Sequence, residues 1–134
     1  MSLTVSPSLL DKAERGELIS DEEFLACVAE SLPYAWKLLL SLRERLDGQT
    51  PFVDNTEPPA NEEERAQLLR FVGSDAMRSA AERELGVKIA FQNCHRLAVF
   101  PAADGEPGME SGAYRRFVST RAQLLNQSPE LVNC

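Results

Sequence analysis

The chain has 134 residues, of which 43% are hydrophobic and 26% charged. Those are ordinary globular proportions, enough for one domain over residues 1–134 with a real core, and they exclude wholesale disorder. The formal charge is −7, and an acidic surface disfavours non-specific binding to nucleic-acid phosphates or anionic lipid, so neither nucleic acid nor membrane is expected as a partner. Cys27, Cys94 and Cys134 are odd in number and widely spaced, which argues against a disulfide scaffold and a zinc finger. No apolar run approaches the roughly 18 residues of a membrane span, and no basic stretch leads into an apolar one at the start. A cytoplasmic location is the expectation.

Taken in order, Ser6-Pro7 opens a short helix that stops at Gly16, with Leu9, Leu10 and Ala13 as its apolar stripe. Ser20-Asp21-Glu22-Glu23 is a capping box. From it Leu25, Val28, Leu32, Ala35, Leu39, Leu42 and Leu46 recur at alternating three and four, an apolar seam of coiled-coil type. Pro33 falls inside the seam and predicts a kink or restart. Residues 47–60, with three prolines, read as a long loop that Phe52 and Val53 pin to the body. Asn61 and Glu64 then cap a further helix whose buried stripe is Leu68, Leu69, Val72, Ala76 and Ala80, with a bend at Gly73-Ser74.

The stretch Gly86–Pro101, GVKIAFQNCHRLAVFP, carries the clearest strand signal: β-branched, aromatic and aliphatic residues on either side of a polar middle. It reads either as two antiparallel strands, VKIAF and RLAVF, or as one long strand. The hairpin is preferred because it keeps Asn93 and His95 out of the core together, although no Asn-Gly or Asp-Gly marks the turn. A second glycine-rich loop covers 102–112. Tyr114, Phe117, Val118, Ala122 and Leu125 then fit one helix, and Ser128-Pro129-Glu130 suits a last turn.

Chemistry has few footholds. Neighbouring Cys94 and His95 point apart on a strand, a zinc site would need Cys27 and Cys134 to converge on the sole histidine, and a thiol–imidazole pair needs a geometry that adjacency does not supply. The glutamates at 22–23 and 62–64 sit in first helical turns, where capping accounts for them. Phosphate-binding glycine motifs are absent. No catalytic residue, metal or cofactor is therefore assigned. The candidate ligand patch is Gln92, Asn93, Cys94, His95 and Arg96, with Arg115, Arg116 and Arg121 as anion-holding neighbours in the C-terminal third, where the charge turns slightly positive. Leu32, Tyr34, Trp36 and Leu39 are the candidate partner interface.

LPYAW (32–36), SDAMRSAAERELGVKIAFQNCHRLAVFPA (74–102) and RAQLLNQSPEL (121–131) resemble a family of small uncharacterised actinobacterial proteins, with Gln92–His95 and the Leu-Leu-Asn-Gln end as its signature. That resemblance implies no activity, cofactor or catalytic residue. The expected fold is α+β, three to four helices packed on a small antiparallel hairpin or short sheet. The expected function is a non-enzymatic binding or regulatory protein acting through protein–protein contacts, with a homodimer favoured by the leucine seam. The alternatives are a small-molecule enzyme or anionic-ligand domain built on the Gln92–Arg96 patch, and a cysteine-based redox sensor.

Overall fold

A computed structural model describes residues 3–126. Helix α1 (Pro7–Glu14), α2 (Asp21–Ser31) and α3 (Pro33–Arg45) precede a short strand, β1 (Val53–Asp54). Helices α4 (Glu62–Val72) and α5 (Asp75–Leu85) lead into strands β2 (Val87–Gln92) and β3 (Arg96–Pro101). A single 3-10 turn (Ala103–Gly105) and two short helices, α6 (Gly112–Phe117) and α7 (Thr120–Leu125), complete the described chain. The α+β expectation holds, with a sheet of three antiparallel strands in the order β1-β3-β2.

Local chemistry sets the boundaries. Ser20 and Glu23 form both halves of the capping box. Pro33 does more than bend the seam: the chain breaks at Leu32, and α2 and α3 lie at 118° to each other. Folded back this way, the seam covers one face of the sheet instead of forming a straight rod. No single helix among the described residues is long and apolar enough to cross a membrane. At the α4–α5 turn a Cβ on Gly73 would lie 2.9 Å from the Leu69 carbonyl oxygen, which explains glycine there. Ser74 then caps α5 by accepting the Met77 N–H. Gly86 takes the left-handed conformation (φ 68°) that ends α5 and reverses the chain into β2.

The main core lies between the sheet and helices α2–α5. Leu32, Leu39, Leu42, Leu68, Phe71, Ile89, Leu97 and Val99 are fully enclosed there. A second, smaller core on the other sheet face joins Ala90, Ala98 and Phe100 to Phe117, with Phe52, Ala113 and Tyr114 around them. Covering both faces is why β3, the central strand, is buried from Leu97 through Phe100.

Three expectations need correction. The 47–60 loop contains a strand: Val53 pairs with Val99 and Asp54 with Ala98. Asn55 extends that pairing, its N–H reaching the Leu97 carbonyl (3.3 Å) while its side-chain oxygen accepts the Leu97 N–H (2.8 Å). Of the stripe expected on α4 and α5, Leu68 and Ala80 are buried, but Leu69 is 42% exposed and Ala76 is exposed, while Phe71, outside the expected stripe, is fully enclosed. The helix expected over 114–125 is two, because Ser119 caps a fresh start at Thr120. The suggested turn at 128–130 lies outside the described residues.

The α1–α2 junction makes a pH prediction. Glu23 accepts from Lys12 Nζ at 2.7 Å and from the Ser20 N–H at 3.0 Å. Lys12 first, then Ser20, lowers the Glu23 carboxyl from 4.5 to about 2. As pH falls, the unfolded chain takes up this proton before the folded one does. The stabilisation is complete above about pH 4.5 and is lost progressively down to about pH 2. Urea midpoints measured from about pH 6 to about pH 2.5 should therefore fall less steeply in Glu23→Gln than in the parent.

Candidate binding groove at the edge of the sheet

The hairpin tip tests the polar patch directly. Asn93 and Cys94 both adopt φ 54°, the left-handed region, so a tight reversal forms without glycine. Gln92 is 6% exposed: its amide donates to the Phe117 carbonyl and accepts from Asn126 Nδ2 at 2.8 Å. Gln123 donates to the Asn93 side-chain oxygen at 2.8 Å. His95 holds its Nδ1 3.1 Å from the Asn93 carbonyl, and its own carbonyl accepts from Asn55 Nδ2 at 2.7 Å. Arg96 pairs with Asp54 and lies over the rings of Phe117 (4.8 Å) and Phe52 (5.9 Å). Cys94 is not a free thiol, and Cys27 is buried with its Sγ 3.4 Å from the Thr4 carbonyl. The side chains at 92, 93 and 96 are thus drawn into contacts that fasten α6, α7 and β1 to the hairpin.

The three arginines stand apart from that patch. Arg115 donates to the Glu110 carbonyl (3.1 Å). Arg116 borders a shallow apolar cleft of about 320 Å³ with Phe52 and Phe117. Arg121 is exposed on α7. Among the described residues no hydrogen bond or ion pair joins any of them to Gln92–Arg96. The proposed interface residues also divide. Leu32 and Leu39 are fully buried in the chain's own core, whereas Tyr34 and Trp36 are half-buried and pack against it. The leucine seam is internal, so it supplies no argument for a second copy. Burial, and then Glu64, raises the Tyr34 phenol above its usual range.

A different feature has the form of a site. Strand β2 is an outer strand of the sheet. Beside it runs a groove of about 410 Å³. One wall is the end of α4, with Leu69 and Val72, running into Gly73; the other is α6, with Tyr114 and its C-cap residue Val118. Arg78 and residues 88–91 of β2 complete the lining. Leu69 and Val118 are 42% and 46% exposed, large apolar side chains facing water.

The ladder alternation sets what the edge presents. Lys88, Ala90 and Gln92 face Phe100, Ala98 and Arg96, and backbone groups of the intervening residues turn outward. Two of these outward groups have partners: the Val87 carbonyl accepts the Gly108 N–H (3.0 Å), and the Ile89 N–H donates to Glu82 Oε2 (2.8 Å). The Ile89 carbonyl and both backbone groups of Phe91 bond to no described residue. Along residues 89–91 three hydrogen-bonding groups therefore lie open on the edge, between apolar walls; the Val87 N–H, likewise unbonded to any described residue, lies outside the groove lining.

The groove's charges are matched internally. Arg78 pairs with Asp75 and donates to the Val72 carbonyl. Lys88 lies 3.6 Å from Glu82 and 5.1 Å from the centre of the Tyr114 ring. Glu82 itself is 5% exposed. Nothing in the patterning of α5 marked Glu82 as interior; only the reversal at Gly86 brings β2 back against it.

No curated protein and no solved structure matches the chain. The sequence model of one family, KH_NucS_shadow, matches residues 1–134. The chain therefore belongs to the family described as NucS shadow ORF.

Proposed function

We propose that this protein is a non-enzymatic binding module that docks an extended chain of a protein partner in the groove beside β2. The observation that carries this reading is the open edge at Ile89 and Phe91 set between apolar walls. An exposed strand edge is a template for another backbone, and proteins usually cover or charge it. Here Leu69 and Val118 flank it, and the two cations of the lining, Arg78 and Lys88, are each tied to a carboxylate from outside it. That pairing suits holding a ligand better than moving protons.

Partners captured on the parent protein should be lost with Leu69→Glu and Val118→Glu, which change exposed side chains and leave the core intact. They should be retained with Leu18→Glu, which alters a residue 91% exposed outside the groove lining. Quantitative mass spectrometry of the captured material reads the difference, and equal recovery from all four proteins would remove the groove from consideration.

A second reading is single-stranded nucleic acid. Some modules grip single-stranded nucleotides through a Gly-x-x-Gly loop. The α4–α5 turn, at one end of the groove, reads Gly73-Ser74-Asp75-Ala76. Alanine replaces the second glycine, and the Asp75 side chain, 91% exposed, puts a carboxylate where a phosphate would approach. That charge, on a chain of net −7, favours a peptide over a polyanion. Binding of a labelled oligonucleotide that weakens steeply with salt and strengthens in Asp75→Lys would reverse the preference.

A further inference from the structure

We infer that the groove's occupant is a short peptide segment of three to four consecutive apolar residues, added to the sheet as a fourth strand alongside β2. This rests on the groove reading above and specifies its ligand.

The open backbone groups supply the first argument. A strand laid antiparallel to β2 exchanges two hydrogen bonds with Phe91 and donates one to the Ile89 carbonyl. The Ile89 N–H is already bound to Glu82, so the partner residue at that point needs only its donor. Three or four residues in extended form span about 10–13 Å.

The walls supply the second. Side chains of a strand alternate between two faces, so a strand with one wet face alternates apolar and polar residues. An added strand here meets apolar side chains on both sides, Leu69 and Val72 on one and Tyr114 and Val118 on the other. A continuous apolar run fits such a slot; an alternating one leaves every second residue polar against a wall.

Shape and charge decide among occupants. A second copy of this chain would bring its own flanking Leu69 and Val118 walls against these, so two concave edges cannot close on each other. A polynucleotide needs unmatched cations, whereas Arg78 is held by Asp75 and Lys88 by Glu82.

The test uses the full chain and a fluorescently labelled peptide of four consecutive valine and isoleucine residues flanked by uncharged polar residues. The unmodified peptide should bind, with shifts of the Ile89 and Phe91 amide signals by NMR. Replacing every second core residue by serine should weaken it about tenfold or more, as should N-methylating the whole core. N-methylation removes the donors while adding apolar surface, so equal or tighter binding of the methylated peptide would overturn strand addition and leave the groove reading standing. No binding at roughly 1 mM peptide would overturn it too, and the Leu69→Glu and Val118→Glu captures then report separately on the groove. A labelled ten-nucleotide oligothymidine bound in place of the peptide would assign the groove to nucleic acid. Sedimentation showing a dimer that Leu69→Glu dissociates would assign it to a second copy.

Discussion

Replacing Phe100 by alanine should lower the unfolding free energy by about 3–5 kcal/mol, the range for emptying a fully enclosed phenylalanine site. Phe100 is 0% exposed and holds the smaller core together. Its ring stacks on Phe52 at 4.9 Å and meets Tyr114 and Phe117 edge-on at 5.5 and 5.4 Å. Each of those partners belongs to a segment with few other anchors: Phe52 precedes the two-residue β1, and Tyr114 and Phe117 lie on the six-residue α6. A helix that short does not form alone and depends on docking. The substitution should therefore do more than open a cavity. Amide exchange over 112–117 should accelerate ahead of global unfolding, and one wall of the groove should lose its footing. Phe100→Leu, which keeps most of the volume, should cost about 1–2 kcal/mol and leave α6 protected. Urea unfolding of both variants measures the first effect and hydrogen exchange the second. A loss under about 1 kcal/mol for alanine would mean that the aromatic cluster does not anchor α6.

The second large effect is expected at Glu82. The residue is 5% exposed, and its carboxylate accepts the Ile89 N–H at 2.8 Å and lies 3.6 Å from Lys88 Nζ. Alanine at this position removes the acceptor and strands both donors, a buried N–H and a mostly enclosed ammonium. Losing one partner of a buried charged contact costs about 2–4 kcal/mol, chiefly because of what is left unpaired. Glu82→Gln keeps an oxygen for Ile89 and removes only the charge, so it should recover about half of the loss. The same change bears on ligand binding. In Glu82→Ala the Ile89 N–H joins the open groups on the edge, so an added strand gains a fourth hydrogen bond. The protein should become less stable while its apolar peptide ligand binds more tightly. Thermal melts and peptide titrations on the same samples separate the two, and parallel losses in both would argue that Glu82 shapes the groove walls instead of closing part of its edge.

Much of the secondary structure was legible because its signals are local. The capping box at Ser20, the proline at 33, the Gly73-Ser74 interruption and the glycine at 86 each act within a few residues, and each ends or begins an element as expected. The hairpin was legible from its two apolar arms, even without a favoured turn dipeptide. What was missed depends on distant partners. Strand β1 has two residues, and its continuation is an asparagine side chain paired with a residue 42 positions away; no periodicity encodes that. Leu68 is compatible with either Leu69 and Val72 or Phe71 as its buried neighbours, and only the docking of α4 on α3 and α5 selects Phe71. The polar tip has the pattern of a ligand site, consecutive polar residues between apolar arms. Gln92 and Asn93 are instead occupied by α6 and α7, which the sequence could not place.

The chain by itself determined where the helices before Gly86 begin and end, that residues 87–101 are strand-forming, and that Leu25, Leu32, Leu39 and Leu42 belong to one apolar repeat, because capping, proline geometry and apolar spacing operate over short distances. The tertiary structure alone decided which of those faces are hidden. It turned the leucine seam inward at the Leu32 break, buried Glu82 under the returning strand, and left one side of β2 uncovered between α4 and α6. The reason is that burial and the pairing of backbone groups are relations between segments far apart in the chain, and the candidate site is made of those relations.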